Sequence, residues 1–321
     1  MALLFLHRKY FDMIVHKGYE NLDLTSPVVT LGIFDGVHRG HRLLLNKLVS
    51  RASENKGESV VITFNPHPRL VLQQNHKNLS FLSTIDEKAR LLQESGIDHL
   101  IIIEFNKSFS HMEACEFIQK VLVDKVKTRH LIVGYDHHFG RKGEGNFETI
   151  KQCSKSLNFI VEKVEELHAS EGVVSSSAIR QALHDGRLDE ANNWLGYSYF
   201  INGKIVAGKK IGRSIGFPTA NIKPDYKYKL IPGDGVYAVI VKIDGIDFPG
   251  MLSIGTNPTF NSENIEKSIE VNIFDFDKDI YGKDISVVFR KWLRNEIRFE
   301  NIEQLVKQMI RDKEQTLGLL T

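Results

Sequence analysis

Cysteine is scarce in this chain, which has only Cys115 and Cys153 among its 321 residues. These two are not spaced as a CxxC pair, and no Cys/His cluster has zinc-site spacing, so the sequence predicts reduced thiols in a reducing compartment. Long apolar runs are also absent, because no stretch approaches the roughly 20 residues of a membrane span. The first apolar residues precede the basic ones, the reverse of a signal peptide. We therefore expect a cytoplasmic protein without a membrane partner.

Charge of one sign is not in excess either. The chain has 42 lysines and arginines against 40 aspartates and glutamates, a net charge of +2. That bias is too weak to indicate a nucleic-acid partner, which usually requires a strongly basic face. It suits small anionic ligands bound by local basic groups. A length of 321 residues is typical of two domains.

Strand and helix patterns alternate in the first part of the chain. Short apolar runs rich in valine and isoleucine predict buried strands, with helical patterns between them. This alternation predicts a parallel sheet covered on both faces, an α/β fold of Rossmann-like type. The predicted strands are Val28–Phe34, Ser59–Phe64, His99–Glu104, His130–Gly134 and Asn158–Val164, and the predicted helices cover about 40–55, 85–95, 111–124 and 146–156.

The pattern of predicted elements changes after about residue 196, where strands follow one another directly and are joined by Asn-Gly, Pro-Gly and Asp-Gly turns. This pattern predicts an antiparallel barrel or sandwich. A terminal amphipathic helix follows, with Asn301 as N-cap and Gln304 at the capping-box position. Its predicted apolar face comprises Ile302, Leu305, Val306, Met309 and Ile310. We place the linker between Leu183 and Tyr197, and the domains at 1–185 and 186–321.

The strongest local signal is the segment Leu31–His41, where the first predicted strand meets the first helix. Ligands bind at the carboxyl ends of parallel strands, and a helix start suits phosphate. Gly32 and Gly36 allow close backbone approach, while His38 and His41 share one helix face. The alternatives are a tight turn with incidental histidines, or a metal site that lacks an evident third ligand.

A second helix start, Ser175–Ser177, offers hydroxyls and N–H groups to a phosphate, with Arg180 one turn further on. Alone, this segment is as well explained by an ordinary serine N-cap with a surface arginine.

A glycine- and lysine-rich loop, 203–216, precedes Thr219 and Asn221. No P-loop sequence exists in the chain, but such a loop can cover the phosphates of a nucleotide. Thr219 and Asn221 point to the same face if they lie on a strand, and their oxygens could hold Mg²⁺ together. The alternative is a threonine–asparagine turn after a proline.

Together these motifs resemble a known family. Gly32–His41 resembles the signature of nucleotidyltransferases related to class I aminoacyl-tRNA synthetases, in the form found in bacterial bifunctional riboflavin kinase/FAD synthetase. The other matching segments are Thr63–Pro68, Val133–Gly140, Val174–Arg180, Gly216–Asn221, Gly235–Ala238, Ser253–Phe260, Ile269–Gly282 and Arg294–Phe299. The resemblance implies an N-terminal nucleotidyltransferase domain and a C-terminal riboflavin kinase barrel with a terminal helix. Riboflavin, FMN, FAD and ATP would be the small-molecule partners, with Mg²⁺ as cofactor.

The resemblance also implies residue roles. Glu270 would be the kinase base, and His38 and His41 would stabilise the transferred phosphate. Adenylyltransferase ATP contacts would be Gly32, Phe34, Asp35, Gly36, Gly40, Ser175, Ser176, Ser177 and Arg180, and its flavin contacts Asn65, Pro66, His67, Pro68, Asp136 and Phe139. In the kinase, Gly208, Lys209, Gly212, Gly216, Phe217 and Pro218 would bind ATP, Tyr237 and Arg294 the flavin, and Thr219 and Asn221 the metal.

Chemistry explains why the two sites should differ. The phosphate of FMN is largely ionised near neutrality and needs no base, whereas the ribityl hydroxyl of riboflavin does. Rival hypotheses are a nucleotidyltransferase for nicotinamide mononucleotide or phosphopantetheine, a tRNA synthetase, and a non-catalytic flavin or nucleotide sensor.

Overall fold

The computed structural model describes residues 12–76, 79–135, 138–165, 168–169, 172–208, 212, 215–256 and 267–320. Within these ranges the chain forms two compact units. The N-terminal unit comprises the described residues up to Leu79 and Ser83–Val174, and the C-terminal unit comprises Ser80–Leu82 and the described residues from Ser175 onward. The predicted boundary between 185 and 186 stays a prediction.

The N-terminal unit is built on a six-stranded sheet in which every neighbouring pair is parallel. The strand order is β1-β4-β3-β2-β5-β6, so the chain turns from one side of β2 to the other. The prediction of a parallel α/β sheet is confirmed, with β1 as an edge strand that the sequence did not reveal. The strands are β1 (Ile14–Lys17), β2 (Val28–Leu31), β3 (Ser59–Asn65), β4 (His99–Glu104), β5 (His130–Gly134) and β6 (Ile160–Val164).

Helices connect these strands, and their ends follow the capping chemistry of the sequence. Thr84 accepts a bond from the Glu87 amide while the Glu87 side chain bonds back to the Thr84 amide, a complete capping box. The Asn146 side chain likewise accepts from the Thr149 amide. The helices are α1 (Arg39–Glu54), α2 (Pro68–Leu72), α3 (Ile85–Glu94), α4 (Ala114–Phe117, continued by a π-helical turn Ile118–Val123) and α5 (Phe147–Leu157), followed by the short strands β7 (His168–Ala169) and β8 (Gly172–Val173).

The C-terminal unit is a closed six-stranded barrel with antiparallel neighbours in the order β10-β13-β12-β11-β14-β9. The barrel alternative is therefore correct and the sandwich is not, because β9 pairs with both β10 and β14. The elements are α6 (Ser176–His184), α7 (Leu188–Leu195), β9 (Phe200–Val206), β10 (Ala220–Pro224), β11 (Gly235–Ile243), β12 (Ile246–Thr256), β13 (Lys267–Ile273), β14 (Asp284–Arg294) and α8 (Ile302–Leu320).

The terminal helix α8 is present, and Asn301 caps it by accepting from the Gln304 amide at 2.9 Å. Its predicted apolar face is wrong at two positions, since Ile302 is 64% and Ile310 45% exposed. The most buried residues of α8 are Asp312 and Thr316 instead. Asp312 forms a buried ion pair with Arg294 of β14, which is described below.

Candidate functional site

The turn between β2 and α1 has an unusual backbone. Phe34, Gly36 and Val37 have φ values of 49°, 80° and 39°, so three residues of four lie in the left-handed region. Such backbone is disfavoured for a β-branched valine and persists only where the surroundings hold it. Here Ser83 does so, because its amide donates to Asp35 Oδ1 at 3.0 Å and its hydroxyl accepts from the Gly36 amide at 2.9 Å. The turn is thus fixed at the carboxyl end of the central strand.

The two predicted catalytic histidines lie together at the start of α1. His38 is the N-cap residue, and its Nδ1 accepts from the His41 amide at 3.4 Å. The rings stack with their centroids 3.6 Å apart and 19° between their planes. Gly40 cannot carry a side chain without crowding them, since a Cβ there would lie 3.2 Å from the His38 ring. The predicted phosphate contacts Gly32, Phe34, Asp35, Gly36 and Gly40 all belong to this turn or the first turn of α1.

His41 is half-buried, and its Nδ1 atom is buried without a hydrogen-bond partner among the described residues. Burial is the main reason that the pKa of His41 lies well below its usual value, with His38 and Lys88 lowering it further. The ring is therefore neutral at pH 7 in the protein alone. A buried polar atom without a partner costs free energy, which a ligand bound at this point would recover.

Lys88 on α3 was not among the predicted site residues. It is only 6% exposed, and its Nζ lies 3.4 Å from Thr63 Oγ1, whose hydroxyl in turn donates to the Ile33 carbonyl. Burial lowers its pKa to about 8, partly offset by the charge of Asp35. A signal existed in the sequence: Lys88 precedes Leu91 and Leu92 by three and four residues, so it occupies the buried face of α3.

Four of the predicted flavin contacts of the N-terminal unit lie at the end of β3 or directly after it, namely Asn65, Pro66, His67 and Pro68. The Asn65–Pro66 peptide bond is cis, and His67 caps α2, which begins at Pro68, by accepting from the Arg69 amide. Asp136 lies outside the described residues. A row of phenylalanine rings begins at the end of β3 and comprises Phe64, Phe109, Phe117 and Phe139, with successive ring centroids 5.9–6.1 Å apart. Phe105 lies beside its start, 5.7 Å from Phe64.

The serine motif caps α6 in the C-terminal unit. Ser175 is the N-cap residue and accepts from the Ala178 amide at 3.2 Å, while Ser176 and Ser177 form the first turn. Arg180 Nη2 donates to the Ser177 hydroxyl at 3.0 Å. The local geometry is that of a serine-capped helix start, as the sequence predicts.

A second cluster of predicted site residues forms where β10 pairs with β13. Asn221 lies directly opposite Glu270 in the ladder. The Thr219 hydroxyl donates to Glu270 Oε2 at 3.3 Å, and the Ser268 hydroxyl donates to Oε1 at 3.1 Å. Two segments far apart in the sequence thus place a hydroxyl and a carboxamide, from Thr219 and Asn221, beside the carboxylate of Glu270.

Two glycines of the predicted glycine- and lysine-rich loop, Gly208 and Gly212, lie close to this cluster. A Cβ on Gly208 would lie 1.9 Å from the Asn221 amide nitrogen, and one on Gly212 would lie 2.1 Å from the Phe217 carbonyl oxygen. Gly216 has φ 81°, and Lys209 lies outside the described residues. Asn272 was missed from the sequence: its side-chain amide donates to the Pro218 carbonyl at 2.7 Å and so holds the turn that presents Thr219.

Tyr237 and Arg294 have their polar groups engaged within the unit. Tyr237 is fully buried and its hydroxyl donates to the Gly233 carbonyl at 2.6 Å. The Arg294 guanidinium forms a forked ion pair with Asp312 of α8, with Nε–Oδ1 at 3.0 Å and Nη2–Oδ2 at 2.7 Å. Both side chains therefore brace the barrel and α8, and their contacts with flavin stay a prediction.

Among the residues that the structure describes, no group of three or more His, Cys, Asp or Glu side chains could hold a metal ion. Within the same residues, none of the helices is both long and apolar enough for a membrane span.

Comparison with protein families gives two matches. Residues 21–178 match the FAD synthetase family and residues 195–320 match the riboflavin kinase family. The chain is 37% identical to a bifunctional riboflavin kinase/FMN adenylyltransferase of Listeria monocytogenes, over 91% of each chain. It is 35% identical to the protein of that name from Bacillus subtilis, over 90% of this chain and 91% of that one. The Escherichia coli protein of the same name is 37% identical over 92% of this chain and 95% of its own.

Among solved structures, the chain is similar to a Streptococcus pneumoniae crystal structure that carries the name macrolide-efflux protein. The two share 33% sequence identity with a TM-score of 0.86, and the match covers 95% of this chain and 99% of that one.

Proposed function

The chain belongs to the bifunctional riboflavin kinase/FMN adenylyltransferase family, and from this premise we propose which of its residues perform each reaction. Its activities are the ATP-dependent phosphorylation of riboflavin to FMN and the transfer of AMP from ATP to FMN, which gives FAD and pyrophosphate. The observation that carries the residue assignment is the convergence of Thr219, Asn221 and Glu270 from two separate segments.

In the kinase reaction, Glu270 accepts the proton of the ribityl 5′-hydroxyl as that oxygen attacks the γ-phosphorus of ATP. Hydroxyl bonds from Thr219 and Ser268 to its two carboxylate oxygens hold the carboxylate in place. The Thr219 hydroxyl and the Asn221 carboxamide offer the oxygen ligands that Mg²⁺ prefers. When bound, Mg²⁺ would neutralise charge on the ATP phosphates, and the glycine loop 208–216 would cover them.

In the adenylyltransferase reaction, an ionised phosphate oxygen of FMN attacks the α-phosphorus of ATP and pyrophosphate leaves. No proton acceptor is required, because the second phosphate pKa is about 6. The residues need only to place the phosphates and to stabilise charge on the transferred group. The N–H groups at the start of α1, the stacked rings of His38 and His41, and the Lys88 ammonium supply this. The contribution of Ser175–Ser177 and Arg180 stays a prediction from the family motif.

The flavin ring of FMN requires a flat apolar surface. We assign it to the carboxyl ends of β3 and β4, where Phe64, Phe105 and Phe109 are half-buried beside the cis Asn65–Pro66 turn. Aromatic faces favour offset stacking with a planar ring system. This assignment extends the predicted contacts Asn65, Pro66, His67, Pro68 and Phe139 by neighbouring side chains.

The test is a comparison of two point variants. Wild type, Glu270→Gln and His41→Ala are incubated with ATP–Mg²⁺ and either riboflavin or FMN, and products are separated by chromatography with fluorescence detection. Glu270→Gln is expected to lose FMN formation by about 100-fold or more and to keep FAD formation from supplied FMN. His41→Ala is expected to show the reverse pattern.

Loss of both activities in either variant, with a native thermal unfolding profile, would contradict the separation into two sites. Glu303→Gln is the matched control for the carboxylate change, since Glu303 is exposed on α8. The requirement for Mg²⁺ is tested in the same assay by removing the ion with EDTA and then restoring it.

A cytoplasmic location, consistent with two reduced thiols, also remains a proposal.

A further inference from the structure

The only two cysteines of the chain lie next to each other in the N-terminal unit. Cys115 is on α4 and Cys153 is on α5, 38 positions later, yet their sulfur atoms are 3.6 Å apart. Cys115 is exposed and Cys153 is half-buried, and neither is in a disulfide. A disulfide bond is about 2.05 Å long, so the sulfurs need to approach by about 1.5 Å. Rotation of two side chains at a protein surface can supply that movement.

The two helices that carry these thiols hold the ends of one loop, residues 138–146. The loop packs against the start of α4 from both of its halves. A Cβ on Gly140 would lie 2.9 Å from Ala114, and the Ala114 amide donates to Glu144 Oε1 at 3.1 Å. At its far end Asn146 caps α5 directly. Inside the loop, Phe139 and Gly145 exchange two backbone bonds of 3.0 and 2.9 Å. A disulfide bond between α4 and α5 would therefore fix the relative position of the two helices that hold this loop.

We propose that Cys115 and Cys153 form a reversible intramolecular disulfide that locks the loop 138–146 and lowers the rate of FMN adenylylation. The effect on the rate rests on the proposed flavin site, to which Phe139 in this loop belongs. A loop that borders a ligand has to adjust when the ligand enters and leaves, and a covalent clamp between its supports opposes that adjustment. The kinase reaction, in the other unit, is unaffected.

The oxidant is a peroxide. The exposed Cys115 sulfur, as thiolate, attacks one peroxide oxygen, the O–O bond breaks, and a sulfenic acid and one water form. The Cys153 sulfur then attacks the Cys115 sulfur, the S–S bond forms, and the sulfenic oxygen leaves as a second water. Two thiols and one hydrogen peroxide thus give one disulfide and two waters, and the two electrons lost by the sulfurs reduce the peroxide. Burial raises the pKa of the Cys153 thiol, so the exposed Cys115 is the thiol that reacts with peroxide first, and Cys153 loses its proton as it attacks the Cys115 sulfur.

The experiment uses the full chain as wild type, Cys115→Ser and Cys153→Ser. Each reduced protein receives one equivalent of hydrogen peroxide and is examined by intact mass, by hydrogen exchange of 138–146 and by both activity assays. For the wild type we expect the loss of two hydrogens in mass, slower exchange in the loop, and FAD formation reduced about tenfold. Dithiothreitol should reverse all three, and the serine variants should show none of them.

The proposal is overturned if peroxide leaves the mass unchanged, adds oxygen to both sulfurs, or links two chains instead of one. It is also overturned if the oxidised protein forms FAD as fast as the reduced protein. Failure of the reduced wild type to form FAD from FMN would refute the proposed function alone, because mass and hydrogen exchange report the disulfide without any substrate.

Discussion

Replacing Lys88 by methionine should make the protein more stable and less active. The side chain is 6% exposed, and burial lowers its pKa from 10.5 to about 8. At pH 7 the lysine is charged in both the folded and the unfolded chain, so folding bears the cost of burying that charge. One pKa unit corresponds to about 1.36 kcal/mol, which gives about 3 kcal/mol. Methionine has a similar shape without the charge, and it removes this cost.

The dependence on pH distinguishes this cause from improved packing. Between pH 8 and 10.5 the unfolded chain holds more protons at Lys88 than the folded one, so the stability of the wild type rises with pH in that window. The variant lacks this rise. Its advantage should therefore be about 3 kcal/mol at pH 7, or about 10 °C in melting temperature, and should shrink above pH 8. FAD formation should fall about 100-fold, because one preorganised donor to a phosphate is lost.

Scanning calorimetry from pH 7 to pH 10 and the FMN assay at pH 7 measure the two effects. Lys151→Met, on the exposed side of α5, is the matched control and should change neither. The reasoning is refuted if Lys88→Met melts below the wild type at pH 7, or if the difference in melting temperature is the same at every pH.

Two further substitutions test how the sites are held. Gly40→Ala places a methyl group 3.2 Å from the His38 ring and should slow FAD formation about tenfold while FMN formation is unchanged. Its control is Gly318→Ala, because no atom lies within 4 Å of the Cβ that this change adds. Asn272→Ala removes the 2.7 Å bond to the Pro218 carbonyl and should raise the KM for ATP–Mg²⁺ in the kinase assay, with FAD formation as the internal reference. An unchanged KM would show that the turn before Thr219 holds without this bond.

The sequence predicted the layers of the fold because its hydrophobic periods are clear. Runs such as Val28–Leu31 and His130–Gly134 are buried on both faces, as is typical of strands in a parallel sheet that helices cover on both sides. The edge strand Ile14–Lys17 was missed because three of its four residues are exposed and one is half-buried, so it has no apolar pattern to detect. Barrel and sandwich could not be separated, since closure depends on which strands pair and not on any one strand.

The sequence predicted the residues of the site that belong to motifs, but it did not predict contacts that depend on how distant elements pack. Motif spacing pointed to His38, His41 and Thr219, and the family resemblance added Glu270. The structure brings the two histidines together and places Thr219 against Glu270, while their roles stay predictions. The spacing of motifs could not show that the Arg294 guanidinium forms an ion pair with Asp312, because this contact joins β14 to α8 and depends on how the helix packs. Lys88 was overlooked because a lysine in a helix is ordinarily solvated, and only its position on the buried face of α3 sets it apart.

Side chains along β13 alternate between the site and the barrel interior, and this limits which mutations the strand tolerates. Ser268, Glu270 and Asn272 face the site, while the residues that alternate with them, Ile269, Val271 and Ile273, are buried in the barrel. Loss of a single codon within this stretch keeps the reading frame, yet it turns every following side chain to the opposite side of the sheet. Such a deletion would present an isoleucine to the nucleotide and a carboxylate to the barrel interior. Insertions and deletions in this strand should therefore be eliminated by selection even where substitutions at the same codons survive.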